Sequence, residues 1–494
     1  MTGVDTSLTP VTGPARPAGR GSRPGDRPRG LGTLLAVDLW ERFSFFGMAA
    51  ILVLYLTADQ DRGGAGLSAQ NATAVFAAYM ALGFLAGLPG GWLADRVLGA
   101  RRAVLLGGAL IAAGHAVLAT PWTASPYGGL LLVVAGTGLV KPAIAALVAS
   151  VSGPDPARRE AAFARFYLCI QVSALIAPAV TGLLAEQVAW HLGFAVAAAG
   201  MLAGLAQFAL GLRRFGEHGR RPARPLTRPE ALRVLRRTVP VAGLAGGLAA
   251  AAAAAGAVPG ALAVLGLGTV LLPFWYLRTL RRGPAPVRLG GFTALMTASS
   301  AFWMLFAQGG SVLNLFAERH TDRQVLGFEV PAGWFQSAHP LFVLLAAPLV
   351  ARGWRRFGPR ADAPVKFAAA LLAAGLGFVL MAGAALSALR APVGPHWLLL
   401  VYLLHSLGEL SLAPAALALA ATVAPPGSTG RFLALNGLFA AVGVVAGGQL
   451  FRLTTVLPLP LYFLLMGTAV LGTGAAVALG AGRLRVSSRP PDGT

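Results

Sequence analysis

Long runs of apolar residues, separated by short polar segments, set the pattern of this chain. Each run is long enough to cross a bilayer as a helix, which takes about 20 residues. Six runs are followed by a closely spaced pair and then by six more, so the pattern predicts an all-α polytopic membrane protein with fourteen transmembrane helices. The predicted spans are residues 33–57, 70–95, 101–120, 126–151, 160–185 and 190–211, then 238–256 and 258–279, then 289–316, 332–354, 364–388, 395–424, 428–450 and 456–482.

The polar segments between these runs predict how the chain is divided. A basic, proline-rich stretch, RRFGEHGRRPARPLTRPEALRVLRR, breaks the apolar pattern after the sixth run. The pair of runs that follows carries almost no polar residue, so we expect an inserted, lipid-facing helical hairpin. The predicted regions are a disordered cytoplasmic arm (1–30), an N-terminal six-helix bundle (31–212), a basic cytoplasmic linker (213–237), the inserted hairpin (238–280), a C-terminal six-helix bundle (281–483) and a cytoplasmic tail (484–494).

The distribution of positive charge predicts the orientation. Arginine concentrates in alternate connections such as DRVLGARR, RTLRRGPAPVR and ARGWRRFGPRADAPVK, whereas the connections between them carry little net positive charge. Because Lys and Arg accumulate on the cytoplasmic side, both termini are expected in the cytoplasm and both six-helix halves run in the same direction. We therefore expect a multi-pass protein of the cell (plasma) membrane.

Composition removes several classes of protein. The chain is 56% hydrophobic and 12% charged, which is unlike a soluble enzyme or a disordered chain. The net charge of +22 lies in short loops between apolar runs, so we do not expect a nucleic-acid partner. The single cysteine, Cys169, excludes an intramolecular disulfide framework and a cysteine metal cluster, and no metal or cofactor is expected.

The first span carries charge where a membrane helix seldom does. Its stretch DLWERFSFFGMAAILVLY places Asp38, Glu41, Arg42, Phe45 and Ala49 at spacings that share one helical face. An ionisable residue inside a membrane helix costs about 2.5 to 3.5 kcal/mol on insertion scales, so this face is expected to line a wet cavity. Snorkelling of a charged helix end to the surface is the alternative.

The opposite side of this first helix is purely apolar. Ile51, Leu52 and Leu54 fall there, and we expect them to face lipid.

The loop after the second span resembles the signature of the major facilitator superfamily. It reads GGWLADRVLGARR, residues 90–102, in which glycines allow close helix approach and charges can form a latch at the cytoplasmic face. Ordinary positive-inside loop chemistry is the alternative. The resemblance implies a cytoplasmic gate motif made of Gly91, Asp95, Arg96, Arg101 and Arg102.

More specifically, the chain resembles the proton-dependent oligopeptide transporter (POT/PTR) family, as a divergent bacterial member. The family's first-helix pattern, Glu-x-x-Glu-Arg-Phe followed by aromatics and Gly-Met, is matched from Asp38 to Met48, and the fourth helix carries the Lys141-Pro142 pair. Counted without the inserted hairpin, the seventh, eighth and tenth helices read FWMLFAQGGSVLNLFAER, FQSAHPLF and GELSLAPAALALAATVAP. The resemblance implies two six-helix bundles of the major facilitator fold with an inserted hairpin.

The departures from the family pattern remove polar groups from the expected site. The first acid of the motif is shortened to Asp38, Ala49 stands where an arginine is common, and Ala307 stands where an acid precedes Gln308. Tyrosines are replaced by Phe45, Phe46 and Phe84, and asparagines by Gln171 and His339. A wider or more apolar substrate therefore becomes plausible.

The resemblance assigns roles to the polar residues, each beside a structural alternative. Asp38, Glu41, Arg42 and Lys141 would form the proton-coupling salt-bridge network, although a static ion pair is also open. Glu409 would meet the substrate's amino group, or else form a hydrogen bond between helices. The implied substrate-binding residues are Arg42, Phe45, Phe46, Phe84, Lys141, Gln171, Gln308, His339 and Glu409.

Other polar and aromatic residues are less specific. His405, one turn before Glu409, could titrate near neutral pH or simply pack. Asn436, like Gln171 and Gln308, could line the pore or bind a neighbouring helix. Trp303, Trp334 and Tyr167 could stack against a substrate or anchor the helices.

These observations favour a proton-coupled symporter of di- or tripeptides or peptide-like compounds that works by alternating access, with protons, a small peptide-like substrate and the lipid bilayer as partners. The alternative is a divergent relative that transports a non-peptide metabolite or drug, with export as one direction open to it. We do not expect an enzyme, since the chain contains no hydrolase triad, phosphate-cradling loop or zinc ligand set. We expect the protein to act as a monomer.

Overall fold

The structure of this chain is a computed structural model that describes residues 30–120, 125–153, 155–233, 236, 258–281, 289–425 and 428–484. Almost all of these residues lie in helices. Six helices precede the linker, and the sixth ends in a short 3-10 turn. They are α1 (Leu31–Thr57), α2 (Ala69–Leu93), α3 (Ala100–Leu118), α4 (Ser125–Ser152), α5 (Pro156–Gln187) and α6 (Trp190–Gly211).

After the linker, the helices continue with the second member of the expected hairpin. They are α7 (Val258–Arg281), α8 (Gly290–Phe306), α9 (Val312–His320), α10 (Ala338–Phe357), α11 (Ala363–Ser387), α12 (His396–Val423), α13 (Thr429–Leu450), α14 (Leu459–Leu479) and the short α15 (Ala481–Leu484). A 3-10 segment, Ala332–Ser337, leads into α10. One small hairpin pairs β1 (Gln324–Val325) with β2 (Phe328–Glu329).

The described residues contain thirteen helical segments long and apolar enough to span a membrane. They agree with the predicted spans to within a few residues at each end, which confirms the all-α polytopic class. The predicted span 238–256 lies outside the described residues. The division of the chain into the predicted regions stays a prediction.

α1 lies in the centre of its half of the molecule rather than at its surface. It packs against α5 and α6, and Ile51, Leu52 and Leu54 are fully buried. The expectation that these three residues face lipid was therefore wrong. A Cβ added to Gly193 would come within 2.6 Å of the Ile51 side chain, so a glycine on α6 is what lets the two helices approach this closely.

The predicted span 289–316 is broken in the middle. α8 passes into a 3-10 turn, Ala307–Gly310, and the chain changes direction at Ser311 before α9 begins. A side chain at Gly310 would meet the Phe76 ring at 2.5 Å, and the carbonyl of Gly309 accepts a hydrogen bond from the Tyr402 hydroxyl at 3.0 Å. The break thus exposes backbone to the space between the helices.

We call the end of the bundle where α1 begins the terminal end, and the end where α1 finishes the loop end. Hydrogen bonds between the two halves concentrate near the loop end. Asn314 donates to the carbonyl of Ala50 (2.7 Å), and the indole of Trp334 donates to the carbonyl of Ala179 (2.8 Å).

A carboxylate at the end of α5 strengthens this closure. Glu186 accepts hydrogen bonds from the backbone N–H groups of Ala332 (2.7 Å) and Gly333 (2.9 Å), and it lies 3.5 Å from the guanidinium of Arg323. Gln187 also donates to the carbonyl of Glu329 at 3.1 Å. The loop end is therefore held shut by charge-assisted bonds between the halves.

Candidate functional site

A cavity of about 320 Å³ lies between the two halves. Most of its wall is aromatic or aliphatic, with a few polar groups, which is the usual character of a small-molecule site. Its lining residues are Arg42, Phe45, Phe46, Ala49, Phe76, Met80, Phe84, Lys141, Ala174, Pro178, Trp303, Phe306, Ala307, Gly309, Gly310, Gln336, His339, Pro340, Tyr402, His405 and Val444.

The N-terminal wall carries a cluster of buried charges on α1. The carboxylates of Asp38 and Glu41 are only 1% exposed, and the Nε of Arg42 lies 3.5 Å from the first and 3.3 Å from the second. These contacts lack hydrogen-bond geometry, so the attraction is electrostatic. Arg42 reaches the cavity, whereas the two acids lie behind it. The expectation that all of this face lines the cavity was therefore wrong for Asp38 and Glu41.

Lys141 on α4 is the second cation of this wall. Its ammonium lies 4.4 Å from the centre of the Phe45 ring, within cation–π distance. Within the part of the chain that the structure describes, no salt bridge joins Lys141 to Glu41 or to any other carboxylate. The lysine thus faces the cavity without a direct salt bridge among the described residues, although Glu41 and Asp38 lie within electrostatic reach.

The C-terminal wall carries a histidine in contact with an acid. His339 lines the cavity from α10, and its Nε2 lies 2.9 Å from a carboxylate oxygen of Glu409 on α12. Glu409 itself is not among the lining residues, so its expected contact with a substrate amino group stays a prediction. His405, one turn before Glu409, is buried; its ring stacks on Phe378 with centroids 5.9 Å apart. Sequence reasoning left Glu409 without a partner in its own helix, and the structure supplies one from another helix.

Several residues expected at the pore take part in contacts between or within helices. Gln308 is buried, accepts a hydrogen bond from the Tyr462 hydroxyl (2.8 Å) and donates to the carbonyl of Met304 (3.1 Å). Gln171 donates to the Tyr167 hydroxyl one turn away at 2.7 Å. Neither glutamine lines the cavity, nor does Asn436. For Gln308 and Gln171, the alternative of helix contacts describes this structure better.

The positions that depart from the family pattern do line the cavity. Ala49 and Ala307 form part of its wall, and the phenylalanines that replace tyrosines, Phe45, Phe46 and Phe84, lie there too. Trp303 joins them, whereas Trp334 bonds the backbone of α5 at the loop end. The cavity wall therefore lacks the polar groups that the family pattern places at these positions.

Sequence reasoning did not single out several lining residues. Tyr402, Gln336, Phe76, Met80 and Phe306 belong to the wall. Tyr402 lies three residues before His405, about one turn of α12. The helical spacing of Tyr402, His405 and Glu409 could therefore have indicated that Tyr402 shares their face.

The loop between α2 and α3 forms a charged contact with the linker. Arg96 of this loop pairs with Glu230 of the linker at 3.0 Å, and the role of the loop as a cytoplasmic gate stays a prediction. Hydrogen bonds from Thr227 hold the pKa of the Glu230 carboxyl below its usual range. The backbone of Asp95 also accepts a bond from the Arg224 N–H at 3.0 Å. The linker is thus bound to this loop.

The other gate residues also contact the linker or a neighbouring helix. Arg101 donates to the backbone carbonyls of His218 (2.6 Å) and Gly216, whereas Arg102 is exposed. A Cβ on Gly91 would approach Pro142 on α4 to 3.3 Å, so this glycine allows α2 and α4 to pack closely.

Comparisons with known proteins agree with this architecture. The family model described as "POT family" matches residues 101–238 and 276–464. A di-/tripeptide transporter of Lactococcus lactis subsp. cremoris is 33% identical over 83% of this chain and 86% of its own length. A crystal structure of a mutant peptide transporter POT superposes with a TM-score of 0.87 at 35% identity, covering 92% of this chain and 95% of that one. A POT family transporter in complex with 5-aminolevulinic acid has a TM-score of 0.85 at 28% identity, covering 92% and 97%.

Proposed function

Because the chain belongs to the POT family of membrane transporters, we propose that it is a proton-coupled symporter of di- and tripeptides or peptide-like compounds that works by alternating access. It is a multi-pass membrane protein of the major facilitator fold. One chain supplies both walls of the cavity, so we expect a monomer to be sufficient for transport.

The observation that carries this proposal is the placement of charged groups on the two sides of the cavity. Arg42 and Lys141 provide cations in one wall, and His339 in the other wall contacts the carboxylate of Glu409, which lies next to the lining residues. A short peptide carries a carboxylate at one end and an ammonium group at the other, so it can bind both walls with charge-assisted hydrogen bonds. Its side chains would contact the aromatic part of the wall, which is tolerant of shape because aromatic faces pack in several arrangements.

The closure at the loop end supports alternating access. The arginine-rich connections lie at the terminal end, so by the positive-inside rule that end faces the cytoplasm. The bonds between halves near the loop end would then close the outer side, and the cavity would open inward. We infer an inward-facing state, in which both termini are cytoplasmic and the contact of Arg96 with Glu230 belongs to the cytoplasmic gate.

The charge cluster on α1 supports coupling to protons. A buried pair that loses one charged partner is strongly destabilised, so a proton on Asp38 or Glu41 would change how Arg42 and Lys141 are held. In our proposal Lys141 pairs with Glu41 in another state, and here it is free for the substrate carboxylate. Proton and substrate binding would then bias the same conformational equilibrium.

Uptake by proteoliposomes tests the proposal. Purified full-length protein is reconstituted, and labelled dialanine uptake is measured with an inward proton gradient, without a gradient, and with a protonophore. We expect accumulation only with the intact gradient, and competition by unlabelled di- and tripeptides. Empty liposomes are the control. Absence of gradient-dependent uptake together with absence of competition by any peptide would refute the peptide symporter.

A second candidate is a non-peptide metabolite or drug, moved inward or outward. The specific observation is that Ala49 and Ala307 leave two positions of the cavity wall without the polar groups that the family pattern places there. A family relative has been solved with 5-aminolevulinic acid, so ligands other than peptides enter the fold. A thermal-stabilisation screen with peptides, amino-acid analogues and amphipathic drugs separates the candidates, since a ligand stabilises the state it binds.

A further inference from the structure

The carboxylate of Glu409 is already engaged by a side chain of the protein. The Nε2 of His339 lies 2.9 Å from its Oε2, and the two side chains keep 17% and 21% of their surface exposed. The contact does not have the direction of a hydrogen bond. A close contact of this kind, in a partly open cavity, is strong when the imidazole carries a proton and weak when it does not.

Within the described part of the chain, no other side chain forms a salt bridge with Glu409. From α12, His405 also lines the cavity and lies within electrostatic reach of His339; from α5, Tyr167 lies within electrostatic reach of Glu409. From α8, only the uncharged ring of Phe306 contacts His339, with centroids 5.1 Å apart. Arg42 and Lys141 lie in the opposite wall. Because His339 lines the cavity and Glu409 does not, an ammonium group in the cavity reaches this carboxylate only by taking the place of the imidazole.

We propose that His339 is a proton-dependent competitor for the amino-group subsite: in its protonated form it occupies Glu409, and a substrate ammonium group binds there by displacing the proton of His339. This inference rests on the proposed function, because it names the residue that controls one end of the proposed peptide site. It makes His339 a specificity-determining residue.

The exchange balances in charge and protons. Before binding, Glu409 is paired with an imidazolium; afterwards it is paired with the substrate ammonium, His339 is neutral, and one proton has passed to solvent. Two cations beside one carboxylate would repel each other, which drives the proton off. In the inward-facing state, the reverse exchange assists release, because a proton taken up by His339 displaces the bound amine.

Two consequences can be measured. A ligand with a free amine binds more tightly as the pH rises, by at most about tenfold per pH unit for the displacement of a single proton. A ligand of similar shape without the amine shows no such dependence at this end of the site. Any protonation change at Asp38, Glu41 or Lys141 is common to both ligands, since both carry the carboxylate.

The experiment is isothermal titration calorimetry on the purified full-length protein in detergent, with dialanine and N-acetyl-dialanine, between pH 5.5 and 7.5. Each titration is repeated in buffers of different ionisation enthalpy, which gives the number of protons released. We expect dialanine to release up to about one proton more than N-acetyl-dialanine. His339→Asn and His339→Gln should abolish the difference, and His396→Asn, at an exposed histidine outside the cavity, should leave it unchanged.

The outcomes separate the two proposals. Retained binding of N-acetyl-dialanine shows that a His339 variant is folded. Equal proton release by the two ligands, or a difference that persists in both His339 variants, would overturn the inference while leaving peptide transport intact. No binding of either ligand to the unaltered protein would refute the peptide function, and the inference with it.

Discussion

The replacement of Lys141 by alanine tests the centre of the proposed mechanism. The ammonium of Lys141 lies over the Phe45 ring at 4.4 Å and faces the cavity without a salt bridge among the described residues, so it is available to a substrate carboxylate. A hydrogen bond to a charged group contributes about 1.5 to 3 kcal/mol. At about 1.36 kcal/mol per factor of ten, Lys141→Ala should weaken binding of a free-carboxylate dipeptide by roughly 10- to 160-fold.

The assay compares three measurements in proteoliposomes. We expect Lys141→Ala to abolish proton-driven uptake of dialanine, to retain part of counterflow exchange at high substrate, and to bind alaninamide dipeptides as well as the unaltered protein does. Lys141→Arg keeps the charge but loses the easily shifted proton of a buried lysine, so it should also fail to couple. Lys366→Ala is the matched control, since this only other lysine lies over Trp354 outside the cavity.

Normal proton-driven transport by both Lys141 variants would refute the reasoning and leave this lysine a packing residue. An equal loss of affinity for the peptide and for its amide would also refute it, since the effect would then not depend on the carboxylate.

Three further predictions concern other parts of the molecule. Ala49→Arg places a cation in the cavity wall, so free-carboxylate ligands should gain affinity over their amides in competition binding; a folded variant with an unchanged order of preference would contradict this. Replacing residues 238–279 by a flexible linker should lower the melting temperature, since Phe274 of α7 packs on Phe439, but should preserve ligand binding; a folded remnant unable to bind would count against it. Glu186→Gln weakens the bonds that close the loop end by about 2 kcal/mol, so hydrogen exchange of the Ala332–Ser337 turn should accelerate, and unchanged exchange would show that the closure does not depend on this charge.

The pattern of apolar and charged residues in α1 predicted only part of how this helix packs. The charged positions were found from their spacing, and Arg42 does reach the cavity. Ile51 and its apolar neighbours were placed against lipid, yet they are buried against α5 and α6. Lipid tails and neighbouring helices are equally apolar, so an apolar side chain does not reveal which of the two it contacts.

The positions of the charged residues were predicted from the sequence, but their salt-bridge partners were not. Asp95 and Arg96 are adjacent to one another in the sequence, but Arg96 pairs with Glu230 because the linker folds back over the α2–α3 loop. Glu409 has no cation in its own helix, and His339 reaches it from α10. In both cases the partner lies many residues away along the chain.

The sequence by itself determined the membrane class, the positions of the thirteen described spans, the family and the residues able to carry charge in the bilayer. These properties are local, because a run of about 20 apolar residues partitions into lipid whatever its neighbours are. Only the tertiary structure decided which of the charged residues pair, that the predicted span 289–316 breaks at the 3-10 turn Ala307–Gly310, and that the loop end is the closed one. These features depend on contacts between distant segments, and the packing of one helix against another is set by the shapes of both.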